Sequence, residues 1–193
     1  MKSFSEPGGS FIMAQPKRPL PVKYLIAVLF RDEKYLLRAK DELAARWGTI
    51  DFEGKNHPFN ITDYYKSEMG TPLFRRLLSF ERLYGPKLIV AMKLECNDIE
   101  TALACDGRRR VNLDAGYLDH NKYLLASAKE AGQKVYLDKG IYADLSGRYK
   151  AGRYRPFEWS FPDFKDGRYD EELLKIRKLY MQQLKKFRSA ARD

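Results

Sequence analysis

The stretch VKYLIAVLF, residues 22–30, constrains the fold more than any other. It is apolar at consecutive positions, so a strand built from it has no face suited to water. That is the pattern of a strand buried on both sides at the centre of a sheet. The rest of the chain has to supply its neighbours and its cover.

Asp32 is placed to cap a helix running to Trp47, in which Leu36, Ala39, Leu43 and Trp47 form one stripe and which Gly48 ends. TIDFE reads as a second strand. GKNHPFNITDYYKSEMGTP follows as a long polar and aromatic connection, a kind of loop that often carries function. LFRRLLSFERLY predicts another strand. The stretch after Pro86 fits a strand through Leu88, Val90, Met92, Leu94 and Cys96, or a helix through Leu88, Met92, Cys96, Ile99 and Leu103. Its Ala, Met, Lys, Leu and Glu content, with proline in the first turn, favours the helix.

RRVNLDAG predicts a strand, and residues 121–131 a short helix closed by Gly132. QKVYLDKGIYADLSGRYKAGRYRPFEW predicts two hairpins with glycine at each turn. Asp170 starts a last helix with the stripe Leu173, Ile176, Tyr180, Leu184 and Phe187. The first six elements run β-α-β-β-α-β, which is the ferredoxin-like order. The expected class is α+β: a ferredoxin-like core with a mainly antiparallel sheet, an appended helix, a β-meander and a C-terminal helix. Helices packed on one face would leave the other open unless the meander covers it.

At 193 residues, the chain suits one domain. Residues 1–21, with their glycines and prolines, read as a flexible lead with Met13 as an alternative start, and residues 22–193 as a single domain. The net charge of +10 favours anionic partners: nucleic acid, phosphorylated metabolites or a membrane surface. The cations are spread along the chain, as on an ordinary solvated surface. No apolar run reaches the roughly 20 residues that span a bilayer, so no membrane partner is expected. The N-terminus lacks the apolar core of a signal peptide. Cys96 and Cys105 form no CxxC motif and point to a reducing cytoplasm.

Several chemistries fall away on spacing. GTIDFEGKN approaches a nucleoside-triphosphate loop, but it has one residue too many and lacks the hydroxyl after Lys55. His57, His120 and the two cysteines have no metal-ligand spacing, so no metal is expected from them. An all-carboxylate magnesium site stays open. Ser127 and Lys129, two apart on an expected helix, would not face each other, and there is no GxSxG elbow. Neither an RNA ribonucleoprotein consensus nor paired His-x-Thr motifs occur.

What survives is a row of polar residues on a strand. Alternate residues share a face, so Arg110, Asn112 and Asp114 line up opposite the apolar Val111, Leu113 and Ala115. The strand expected beside them carries Glu81 and Arg82. Glu81 then either pairs with Arg110 as a structural salt bridge or joins the row around a polar pocket; a third reading is an edge strand with solvated charges. NITDYYKSEMG adds Asp63, Tyr64, Tyr65 and Glu68. Thr62 or Asp63 is placed to cap a turn there and Gly70 to end it. FEWSFPDF, with Trp159, Pro162 and Asp163, tacks the last helix to the sheet.

Together PVKYLIAVLF, IDFE…FNITDYYKSEMG, LLSFERL, RRRVNLDAGYL, KYLLASAK, KVYLDKGIYADL and FEWSFPDF resemble a bacterial family of uncharacterised domains, in order and over nearly the whole chain after Met13. The family pattern ends its strand in Asp-Pro-Gly-Tyr. Here Ala115 replaces the proline and leaves Asp114, Gly116 and Tyr117 in register. Some members carry the label "GTP-binding protein". The residues here do not support it, with no phosphate loop and no Asn-Lys-x-Asp motif. The resemblance implies the fold unit and its boundaries, and no mechanism or cofactor.

The leading functional expectation is a site for a small anionic or phosphorylated ligand formed by Asp63, Tyr64, Glu68, Glu81, Arg110, Asn112 and Asp114. Arg110 would clamp the anion, Asn112 orient it, and Asp114 or Asp63 bind hydroxyls or a metal. An enzyme would use Glu68, Glu81 or Asp114 as acid or base. An RNA-binding protein would use GRYKAGRYRPF and the basic surface. An open sheet face would also offer an assembly surface.

Overall fold

The computed structural model describes residues 13–190. Of the expected lead, residues 1–12 lie outside the described residues, and 13–21 form no helix or strand. VKYLIAVLF supplies β1 (Lys23–Phe30), in which every residue is buried. Tyr24, Ile26, Val28 and Phe30 join one core, and Leu25 and Ala27 a second on the opposite face. The two-sided apolar pattern therefore means what it predicts.

β1 lies between two antiparallel neighbours, β4 (Phe74–Phe80) and β5 (Val111–Leu118). β2 (Ile50–Glu53) pairs with the far edge of β4, as does the short β3 (His57–Pro58). Helix α1 (Glu33–Trp47) and helix α3 (Ile89–Ala102) connect these strands, with a one-turn α2 (Lys66–Met69) in the long connection. Asp32 caps α1 by accepting from the Lys34 amide at 3.1 Å, and Leu36, Ala39, Leu43 and Trp47 are its buried stripe. The helical reading of the stretch after Pro86 holds, with Met92, Cys96 and Ile99 in the core.

On the other side of β5, the sheet continues through β6 (Lys122–Ser127) and β8 (Ile141–Lys150), which pairs with β7 (Val135–Asp138) and β9 (Arg153–Pro156). The sheet order is β2-β4-β1-β5-β6-β8-β7, with antiparallel neighbours throughout. The chain is thus an α+β protein. After β9 come a short α4 (Pro162–Lys165) and the long α5 (Asp170–Ala190).

Two expectations need correction. Residues 121–131 do not form a helix: KYLLAS is β6. Its apolar residues leave on both sides, Leu124 and Ala126 into one core, Tyr123 and Leu125 into the other. A run that short and apolar has no period to separate helix from strand, and pairing with β8 decides it. Helices also cover both faces of the sheet. α1 and α3 pack on one, while Leu173, Ile176, Tyr180 and Leu184 of α5 pack on the other. The meander extends the sheet sideways, so it is α5 that covers the face expected to be open. Phe187, placed in the α5 stripe, is 50% exposed.

Candidate functional site

β5 and β6 are in register at only three positions, Gly116↔Leu125, Tyr117↔Leu124 and Leu118↔Tyr123. Gly116 permits this close approach, since a Cβ there would meet the Leu124 carbonyl oxygen at 2.4 Å. Beyond Gly116 the strands part, β5 staying with β1 and β6 with β8. The sheet opens into a V between Leu113 and Ser127.

Opening a sheet strands backbone groups, each costing about 1–3 kcal/mol if buried without a partner. Two α3 side chains meet this need. Glu100 Oε1 accepts from the Leu113 amide at 2.6 Å, and Lys93 Nζ donates to the Leu113 carbonyl at 3.0 Å. Lys93 and Glu100 are two helical turns apart, on one face, and both are buried. They plug the V.

The remaining space is a cleft of about 200 Å³. Asn112 and Asp114 of β5, Leu125 and Ser127 of β6 and Asp144 of β8 line it from the sheet. Tyr64, Tyr65, Lys129, Lys134 and Phe161 line it from the loops. Arg109 lies across one wall. Its Nε and Nη2 donate to Glu68 Oε1 and Oε2 at 2.7 and 2.6 Å, and its Nη1 donates to Asn112 Oδ1 at 2.8 Å. Nη1 also reaches Glu100 Oε2 at 3.3 Å. The bond to Arg109 holds the Glu68 carboxyl below its usual range, and Glu68 in turn strengthens the charge on Arg109.

Burial pushes the Glu100 carboxyl above its usual range, against the pull of Lys93. Asp144 is raised by burial too, opposed by Lys134, whose amine lies 3.9 Å away. Two residues that line the cleft each hold a buried side-chain atom without a hydrogen-bond partner: Asn112 Nδ2, a donor, and Asp144 Oδ1, an acceptor. At the mouth, Lys129 Nζ donates to Tyr64 Oη at 2.5 Å and lies 4.2 Å from the ring centroid. Lys134 Nζ donates to Ser127 Oγ at 2.9 Å. It is thus Lys134, not Lys129, whose amine meets the serine.

Of the residues singled out in the sequence, Tyr64, Asn112 and Asp114 line this cleft, and Glu68 reaches it through Arg109. Asp63, Glu81 and Arg110 do not. Asp63 is exposed and pairs with Lys66 at 3.3 Å. Glu81 lies past the end of β4, which borders β1 and not β5, so it neither pairs with Arg110 nor enters the site. β4 contributes Arg75 instead. This residue is wholly buried, with Nη1 on Asp163 at 2.5 Å and Nη2 on Asp114 at 3.3 Å. Arg110 precedes the first β5 residue, so strand alternation does not extend to it. Its guanidinium lies 5.9 Å from the Tyr35 ring and reaches Asp106 at 3.8 Å.

Lys93, Glu100, Lys134 and Asp144 were not legible as site residues. The two-turn spacing of Lys93 and Glu100 beside an apolar stripe was a usable signal. Nothing local tells that β5 leaves its edge open to them. Trp159 stacks on Phe157 with centroids 4.9 Å apart and donates to the Leu145 carbonyl, while Asp163 takes the buried Arg75, so FEWSFPDF does join the end of the chain to the sheet.

Among the described residues, no helix is long and apolar enough to cross a membrane, and no group of three metal-ligating side chains occurs. No curated protein and no solved structure matches the chain. A family model described as "Domain of unknown function (DUF4416)" matches residues 20–180, which hold the whole sheet, α1 to α4, the first half of α5 and the whole cleft lining. The chain belongs to that family.

Proposed function

We propose that the protein binds a small polar molecule in the cleft between β5 and β6. The observation that carries this reading is that two residues lining the same cleft, Asn112 and Asp144, each hold a buried side-chain atom, Nδ2 and Oδ1, without a hydrogen-bond partner. A buried polar group without a partner costs free energy in the empty protein. A ligand that presents an acceptor to Asn112 and a donor to Asp144 recovers that cost on binding.

Inside the cleft, Arg109 and Lys93 are already engaged by carboxylates or backbone, so neither is a free anion clamp. Among the described residues, the Lys129 amine at the mouth has only the Tyr64 hydroxyl and ring. A ligand with hydroxyl or amide groups at its inner end and an anionic group at its outer end fits this arrangement. Tyr64 and Phe161 give its body apolar cover. The enzymatic alternative moves to different carboxylates: Glu100 and Asp144, both raised by burial, replace Glu68, Glu81 and Asp114 as acid–base candidates.

Thermal denaturation against a panel of small hydroxylated carboxylates and phosphate esters tests the reading. At a hundredfold excess over Kd, a ligand adds about 2.7 kcal/mol, or about 5–11 °C in Tm for a domain of this size. Asn112→Leu should remove that shift. A ligand that stabilises the wild type and Asn112→Leu equally would place the site elsewhere.

A further inference from the structure

Beyond the cleft, the end of the sheet formed by β6, β8 and β9 carries a grid of cations set directly across from one another. The register pairs Lys122 with Arg148, Arg148 with Arg155, and Lys150 with Arg153. Cross-strand partners project from the same face, so these five side chains share one surface. Tyr149 and Tyr154, paired between them, point the other way, Tyr154 into the core beneath α5. Arg148, Lys150, Arg153 and Arg155 are all exposed.

Like charges directly opposite on a sheet destabilise it. Among the described residues, Lys122 has an acidic partner, Asp119, and the other four form no ion pair. The field of Arg153 and Arg155 reaches Asp170 without an ion pair. Cations on an edge strand protect it from pairing with other chains, which accounts for β9. It does not account for Arg148, which lies between β6 and β9. The fold gains nothing from this grid, so its use lies in what it meets.

Aromatic residues follow β9 in the chain. Phe157 follows β9 directly, and its parallel partner Trp159 is 40% exposed and bonded to the Leu145 carbonyl of β8. Guanidinium forks suit phosphate oxygens, and an exposed ring beside a cationic strip is how sequence-tolerant proteins hold single strands. We infer that the β6-β8-β9 surface binds single-stranded nucleic acid, with Arg148, Arg153 and Arg155 on phosphates and Trp159 stacking a base.

Fluorescence anisotropy of the full chain with a fluorescein-labelled, mixed-sequence single-stranded RNA tests this. Three arginines on phosphates predict a log–log salt slope near −2, at about −0.7 per contact on a single strand. The double reversal R148E/R155E should weaken binding by on the order of tenfold or more, and Trp159→Leu by on the order of tenfold. A higher Tm of Arg155→Glu alone would show that lost binding is not lost folding. Asn112→Leu should bind the RNA as the wild type does, so failure here and failure of the cleft reading are separate results. Unchanged affinity in R148E/R155E would overturn the inference. So would equal competition by polyglutamate with no effect of Trp159→Leu, which would mark a surface for acidic protein. Sedimentation with anionic phospholipid vesicles in the absence of RNA binding would overturn it as well.

Discussion

Two buried ionic clusters in this protein have opposite character. At one end of β1, Lys23 is wholly buried and its ammonium donates to Asp51, the Phe80 carbonyl and Gln183 at 2.7, 2.7 and 2.9 Å. Asp51 is equally saturated, accepting from Ser79 on its other oxygen and from Gln183 at 2.6 Å. All three ammonium protons have partners. Across the sheet, the cleft cluster of Arg109, Asn112, Glu100 and Asp144 is just as charged, yet it leaves a donor and an acceptor unpaired. A buried charge is therefore no mark of function by itself. An incomplete cluster is a mark only where it borders a cleft: Arg75 Nε and Asp163 Oδ1 also lack partners, in a buried pair that ties α4 to the sheet.

The contrast is open to direct attack. Lys23→Met should produce the largest change, since it strips the part-buried Asp51 of its counter-charge. A loss of about 3 kcal/mol, or about 6–12 °C in Tm, is expected, with ligand binding in the cleft intact. A loss below about 1 kcal/mol would show that the closed cluster is not held by its charges.

Arg109→Met should cost less, about 1 kcal/mol near neutrality, because Arg109 and Glu68 are partly exposed and solvent replaces part of their bond. Its pH dependence has a definite sign. Glu68 is depressed by Arg109, so its contribution is present above the ordinary carboxylate range and lost as pH falls through the folded value. Urea titrations at neutral and acid pH should show the variant and wild type converging in acid.

Asp144→Asn should give the smallest change and the opposite sign, a gain of up to about 1 kcal/mol near neutrality. Burial raises the Asp144 carboxyl in the folded protein. Its ionised form therefore lowers stability as pH rises from the ordinary carboxylate range through the folded value. The gain should shrink in acid, where Asp144 is already protonated. A destabilised Asp144→Asn at neutral pH would mean that Lys134 depends on the charge, and that the cleft is less incomplete than Asp144 Oδ1 suggests.

How far the site was legible follows from the range of each signal. Asn112 and Asp114 were visible because strand alternation is local, and Glu68 and Tyr64 because they stand in a long polar connection. The same rule misled at Arg110, one residue before the strand begins, and passed over Arg109, which turns back to Asn112 and Glu68. Glu81 was misplaced because adjacency in sequence order is not adjacency in the sheet: β1 lies between β4 and β5. Lys134 and Asp144 lie in segments whose role depends on β6 being a strand.

By itself, the amino-acid sequence determined the doubly buried β1, the stripes of α1 and α5, the hairpins of the meander and the α+β class, because periodicity, caps and turn residues act over a few positions. The tertiary structure alone decided that β6 is a strand, that α5 covers the second face, and that β5 and β6 part beyond Gly116. Each depends on partners far along the chain, and the cleft exists only where two such partnerships, β5 with β1 and β6 with β8, pull neighbouring strands apart.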